Sequence, residues 1–255
     1  MTKQIIHRDF APFAFISLIA LTLTGTGLKA GAKSNEADMI SGYHLRQLAE
    51  EVGPIEVYVT HDFCRFDNES NALSYILNGK SSEVTILNHT QKQYWISPFS
   101  KFSPGLSYIN KMVRYSDYQV LQMVGTKATT TLGLSATLFS YKNPEKFIGT
   151  ALTRTDKLIV ISGEVVGCAA ISQNQNLCHA AAKFYSVPFS AAFPLQFTYM
   201  NRKGGIHTIL KTSVAQKVQF TESRLQIPTG YKRANNQNEI YLNSAGRDTL
   251  EDMLK

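Results

Sequence analysis

His61, Asp62 and Cys64 form the one place where an imidazole and a carboxylate are adjacent in this 255-residue chain, with a thiol two positions on. In a nucleophilic enzyme the imidazole would take the thiol proton and the carboxylate would hold the imidazole's tautomer. Residues so close on an extended segment point to different faces, so a solvated turn accounts for the three. Asn78-Gly79-Lys80-Ser81 ends like a phosphate-binding loop, but Ser74 stands where that motif needs its first glycine, and a strand follows where it needs a helix. No Gly-x-Ser-x-Gly elbow, His-Glu-x-x-His pair, Cys-x-x-Cys or Gly-x-Gly-x-x-Gly is present. The expectation is a chain without catalytic residues, cofactor or metal. Cys168, Cys178 and His179 would give only three of a zinc site's usual four ligands, and the nearest other histidine is His207. Cys168 and Cys178 instead flank the polar loop 172–176 and are expected to pair as a disulfide, leaving Cys64 as a small buried hydrophobe. Asn68-Glu69-Ser70 and Asn88-His89-Thr90 match glycan acceptor sequons.

The elements that would position these groups are mostly strands. Asn35 or Ser34 can cap a helix over 36–51, since Ala37, Ile40, Leu45, Leu48 and Val52 fall in one arc and Gly53-Pro54 stops it. The period then becomes two: Ile55, Val57 and Val59 alternate with Glu56, Tyr58 and Thr60. Strands follow near 73–78, 83–88 and 92–97, the first two joined by Asn78-Gly79-Lys80. The stretch 97–125 reads as irregular, and 129–142 as one bulged strand around Gly133. Asn143-Pro144-Glu145 opens a helix to about 152. Strands over 158–166, 195–200, 206–212, 215–221 and 239–242, with a short helix near 180–185, complete the pattern. Nine or ten strands without βαβ alternation predict an α+β fold, a single curved antiparallel sheet with a few covering helices.

The composition, 44% apolar with 14 Phe, 12 Tyr and one Trp, suits one sizeable core and excludes disorder. Lys3, Arg8 and the apolar run 10–23, followed by Ala30-Gly31-Ala32, have the anatomy of a signal peptide cleaved after Ala32. A retained N-terminal membrane anchor is the alternative. Residues 33–242 form the expected domain and 243–255 a tail, in the periplasm or secreted. Losing the leader removes Lys3, Arg8, Lys29 and Asp9, so the formal charge falls from +7 to +5. The basic residues lie in ones and twos, which makes no phosphate track for nucleic acid but leaves an anionic membrane surface as a possible partner.

Several segments together resemble LolA-like proteins. They are Tyr185-Ser186-Val187-Pro188 to Pro194-Leu195, the Gly204-Gly205 hairpin, Leu210-Lys211-Thr212, and above all Leu225-Gln226-Ile227-Pro228-Thr229-Gly230-Tyr231-Lys232. The run 131–139, Ile86-Leu87-Asn88 and Lys92-Gln93-Tyr94-Trp95 are similar to that family's middle and early strands. The resemblance implies a half-open antiparallel barrel whose concave apolar side is closed by helices. It also implies carriage of lipoprotein acyl chains or related lipids across the periplasm, with Arg65 in the place of an early-strand arginine that hydrogen-bonds the lid.

A curved sheet must cover its apolar face with helices, ligand or a partner. Val57, Val59, Tyr94, Phe139, Leu195, Phe197, Tyr199 and Leu210 are the candidate walls of a cavity for an apolar or acylated ligand or a lipoprotein. Two alternatives stand beside this carrier reading. One is an envelope interaction module with a filled core, touching proteins or anionic lipid through Arg202, Lys203, Lys232 and Arg233. The other is a hydrolase whose site has no recognisable motif.

Overall fold

The computed structural model describes residues 38–50, 52–102, 118–144 and 159–241. The leader, the helix expected from Asn143 onward and the tail 243–255 lie outside the described residues. The chain divides after Asn35, and every described residue belongs to the second unit.

Twelve strands make one sheet: β1 (Met39–Ala49), β2 (Gly53–Val59), β3 (Phe63–Asn68), β4 (Leu73–Asn78), β5 (Glu83–Asn88), β6 (Gln93–Pro98), β7 (Gln122–Thr131), β8 (Leu134–Lys142), β9 (Val160–Cys168), β10 (Phe193–Asn201), β11 (Ile206–Thr221) and β12 (Lys232–Arg233). Their order is β12-β6-β5-β4-β3-β2-β1-β11-β10-β9-β8-β7, antiparallel throughout except for the parallel β12–β6 pair. Two meanders, β1 to β6 and β7 to β11, are thus joined by the β1–β11 ladder. That ladder is the longest in the sheet, with partners from Met39↔Thr221 to Ala49↔Leu210.

The helix expected over 36–51 is a strand instead. Its inward set is Tyr43, Leu45, Gln47 and Ala49, at period two, while Leu48, which the helical arc would bury, is 57% exposed. A Cβ on Gly42 would sit 2.3 Å from the Val59 carbonyl oxygen, so the glycine admits β2 at a closeness no side chain allows. The expected single strand over 129–142 is a hairpin. Leu132 and Gly133 both have positive φ, 50° and 72°, which is the two-residue turn whose twist suits paired strands. The strands expected at 206–212 and 215–221 are one, β11, with a register shift opposite Arg46 and Gln47 of β1. Residues 237–241 form a helix, α2 (Gln237–Tyr241), where a strand was expected; the Asn236 side chain accepts from the Glu239 backbone N–H and the Glu239 carboxylate accepts from the Asn235 backbone N–H. β3 was not anticipated, because Arg65, Asp67 and the sequon mask the inward alternation of Cys64 and Phe66.

One helix of ten residues, α1 (Gln175–Phe184), covers the inner face of the sheet. Asn174 caps it by accepting from the Leu177 amide at 3.1 Å. Leu177, Cys178, Ala181 and Phe184 are buried in the inner core, so the helix buries a stripe against the strands. Phe184 stacks on Phe66 at 4.2 Å between ring centroids and meets Tyr75 edge-on at 5.0 Å, while Tyr185 meets Phe66 edge-on at 5.4 Å. The centre of the inner face is therefore filled by the protein's own side chains.

Candidate functional site

Both ends of α1 are tied to the sheet. At the start, Asn174 Nδ2 donates to Asp62 Oδ1 at 3.1 Å, and His61 and Lys80 reach the same carboxylate at 2.7 and 3.1 Å. Burial alone would raise the Asp62 pKa, but these three partners together bring it down to about 2. The helix N-cap is thereby joined to the β2–β3 and β4–β5 turns. At the far end, the Tyr185 hydroxyl donates to Gln47, which is 3% exposed and itself donates to Thr212 Oγ1 at 2.8 Å and the Pro194 carbonyl at 3.2 Å. This network sits at the register shift of β1 and β11, where Ser213 of β11 has no partner in β1, while Gln47 faces inward by the unbroken alternation of β1.

The side of α1 turned away from that core borders a cavity of about 790 Å³. Its walls are Phe99, Tyr118, Leu121, Met123, Tyr141, Ala180, Ala182, Val187, Pro188 and Phe189, with Ser82, Ser100, Asn176, His179 and Lys183 adding polar groups. The positions 176, 179, 180 and 183 recur at helical spacing, which is why one face of α1 supplies them. The walls are braced by hydrogen bonds: Lys183 Nζ donates to the carbonyls of Phe99 at 3.0 Å and Ser100 at 3.4 Å, and the Tyr141 hydroxyl donates to the Phe189 carbonyl at 2.6 Å. Burial pushes the Tyr141 pKa to about 12, so this donor keeps its proton. The arrangement offers a half-open cavity with both apolar and hydrogen-bonding groups in its lining, suited to holding an amphipathic molecule.

The eight positions expected to line a cavity lie elsewhere. Val57, Val59, Leu195, Phe197 and Leu210 are fully buried in the inner core, and Phe139 and Tyr199 are buried beside them. Phe197 and Tyr199 stand behind the cavity wall, with Tyr118 packed on them at 5.2 and 5.1 Å. Tyr94 is half-buried on the outer face, opposite Leu87 of β5 and Arg233 of β12. Arg65 also lies on the outer face, away from α1, since Cys64 and Phe66 take the inner positions of β3. It donates to Asp67 Oδ1 at 2.6 Å, to the Arg224 carbonyl at 2.6 Å and to Ser74 Oγ at 3.3 Å. The arginine fastens the C-terminal segment, not the helix that covers the concave face.

The expected Cys168–Cys178 disulfide is not formed; all three cysteines are free and buried. Cys168 Sγ donates to the Ser135 carbonyl and Cys178 Sγ to the Ser172 carbonyl, because the loop between them already enters α1 at Gln175 and carries Cys178 into the helix's inner stripe. His179 turns to the cavity and packs on Phe189 at 4.8 Å, so these three potential metal ligands diverge. Cys64 is buried, and desolvation, with Cys178 and Asp67 adding, holds its pKa well above the ordinary thiol value, whereas His61 lies at the surface with Asp62. His61, Asp62 and Cys64 are not gathered into one site. The two sequon asparagines are also engaged: Asn68 donates to the Val52 carbonyl and Asn88 to the Ile240 carbonyl, both from buried positions.

The cavity residues carried little sequence signal. Phe99, Leu121 and Met123 fall in the stretch read as irregular, and the helix expected near 180–185 begins five residues earlier, at Gln175, which brings positions 176 and 179 onto the same face.

No family model matches the chain, and no curated protein matches it in sequence. Among solved structures it is similar to an uncharacterized conserved protein from Thermus thermophilus, at 13% identity and a TM-score of 0.39 over 78% of this chain and 91% of that one. It is also similar to MucB in its complex with MucA(peri), at 12% identity and a TM-score of 0.37 over 74% of this chain and 55% of that one. This chain thus spans about half the length of MucB. Likenesses of this size assign it to no family.

Proposed function

We propose that this chain is an exported, non-enzymatic binding protein for an apolar or acylated ligand, held in the cavity beside α1. The single observation that carries this reading is a cavity of about 790 Å³, walled mainly by apolar side chains, beside a core that is otherwise filled. Its size lies within the roughly 300–1,000 Å³ common for small-molecule sites. Each buried methylene contributes about 0.8 kcal/mol, so about ten of them offset a substantial part of the ordering cost without a charged partner. Ser82, Asn176 and His179 in the lining can hydrogen-bond a polar end. The leader anatomy of residues 1–32 supports export.

Native mass spectrometry of the mature protein, paired with solvent extraction, tests this. An extractable apolar mass, or uptake of a fluorescent fatty acid by emptied protein, is expected. A protein that is both bare on isolation and unable to take up the probe would overturn it.

The filled centre of the inner face favours a second reading, an envelope interaction module with no ligand. Its proposed basic contacts lie apart: Arg202 and Lys203 in the β10–β11 turn, Lys232 and Arg233 in β12 at the edge of the sheet. Binding to anionic vesicles or to another protein, with no lipid uptake, would select it.

A further inference from the structure

β7 ends the sheet, and among the described residues only β8 pairs with it. Residues 122–128 are all exposed, Met123 and Val124 to 56% and 57%. A strand bare along one side presents a row of N–H and C=O groups that another extended chain can satisfy. Folded proteins usually guard such edges with prolines, bulges, charges or short length. β7 is ten residues long and has no proline; its one bulge lies at its start, between Met123 and Gly125, and its one charge is Lys127. The opposite edge is treated differently, since the two-residue β12 pairs with Gln93 and Tyr94 of β6 and Arg233 lies over the Trp95 ring at 5.8 Å.

We infer that β7 is a docking edge for an extended acidic segment of another polypeptide, which adds to the sheet as a further strand. Charge selects the partner. β7 and β8 together carry Lys127 and Lys142 and no carboxylate, on a chain that is itself net basic. An acidic residue opposite or diagonal to Lys127 gains from the pairing, and a basic one loses. A second copy is the less favourable occupant. Two β7 strands pairing antiparallel about their middles, with the faces of the two sheets continuous, set Lys127 opposite or diagonal to its own counterpart. Main-chain bonds would supply affinity, and side chains alternating along the added strand would supply specificity. The docking edge meets the cavity at Met123, while Lys127, on which the charge selection rests, lies outside the cavity lining.

The test uses the purified protein and two fluorescein-labelled ten-residue Thr/Val peptides, one with two Glu and one with two Lys. The Glu peptide is expected to bind roughly fivefold more tightly or better, and to slow backbone hydrogen exchange in 122–131. Lys127→Glu, an exposed change that leaves the fold in place, is expected to invert the preference. Failure of both peptides to slow exchange there would overturn the inference, and so would a preference that Lys127→Glu leaves unchanged. Sedimentation of the protein alone as a dimer with β7 protected would overturn it in favour of a second copy.

Discussion

The two edges of this sheet are finished in opposite ways. At the β6 edge, residues 222–241 run over the outer face, pair as β12 and end in α2, whose Ile240 and Tyr241 pack with the inner core. A chain of polar contacts holds that wrap: Arg65 to Asp67, Asp67 to Ser74 at 2.5 Å, Ser74 to His89 at 2.6 Å and His89 to Tyr231 at 2.6 Å. Arg224 lies over Tyr58 at 4.0 Å beside it. At the β7 edge no such wrap exists among the described residues, and the cavity opens next to the first residues of that strand. One edge is thus held by a C-terminal wrap, and the other leaves exposed strand surface beside the cavity.

The contrast can be broken most forcefully in the filled half. Phe184→Ala would remove the ring stacked on Phe66 and is expected to lower stability by about 3–5 kcal/mol in chemical denaturation. A loss under about 1 kcal/mol would mean that this half is not packed as described. Asp67→Ala strips the acceptor shared by Arg65 and Ser74, and should cost about 1–3 kcal/mol. Hydrogen exchange should then quicken across 222–241 while β7 stays as it was; equal quickening at both edges would contradict a local wrap.

Acid should separate the same regions in two stages. Burial lowers the His89 pKa and Arg65 lowers it further, against a smaller opposing pull from Asp67. A histidine with a lowered folded pKa gives stability that is complete above the unfolded value near 6.5 and fades as pH falls below it. Asp62, brought down to about 2, contributes stability present above about 3.9 and lost as pH falls toward 2. Melting temperature followed from pH 7.5 to 5 should therefore decline in wild type and less so in His89→Gln, whereas the α1 anchor should survive to lower pH. The smallest effect belongs to the open edge: Lys127→Glu should leave stability within about 0.5 kcal/mol of wild type. A larger loss would show that β7 is tied down by contacts beyond those described.

The sheet was more legible in the sequence than the site. Alternation placed β2 nearly to the residue, and the Asn78-Gly79-Lys80 turn placed β4 and β5 on either side of it, although β4 is buried on both faces. β1 was misread because Ile40, Leu45 and Leu48 mimic a helical arc, while the buried member that decides the period, Gln47, is polar. Gly42 inside that run was the available clue, since a glycine within an apolar pattern often marks a close backbone approach. The cavity was misplaced for a related reason. Residues with the strongest apolar alternation, such as Val57 and Leu195, are those the fold seals most completely. The open wall is formed where alternation fails, at Phe99, Leu121 and the outward face of α1.

Photocrosslinking with a diazirine-bearing fatty acid, mapped by peptide mass spectrometry, tests the central claim most directly. The account predicts label on Phe99, Leu121, Met123 or Phe189, around the cavity beside α1. Label on Val57, Leu195 or Leu210, or no label above a protein that binds no lipid, would contradict it.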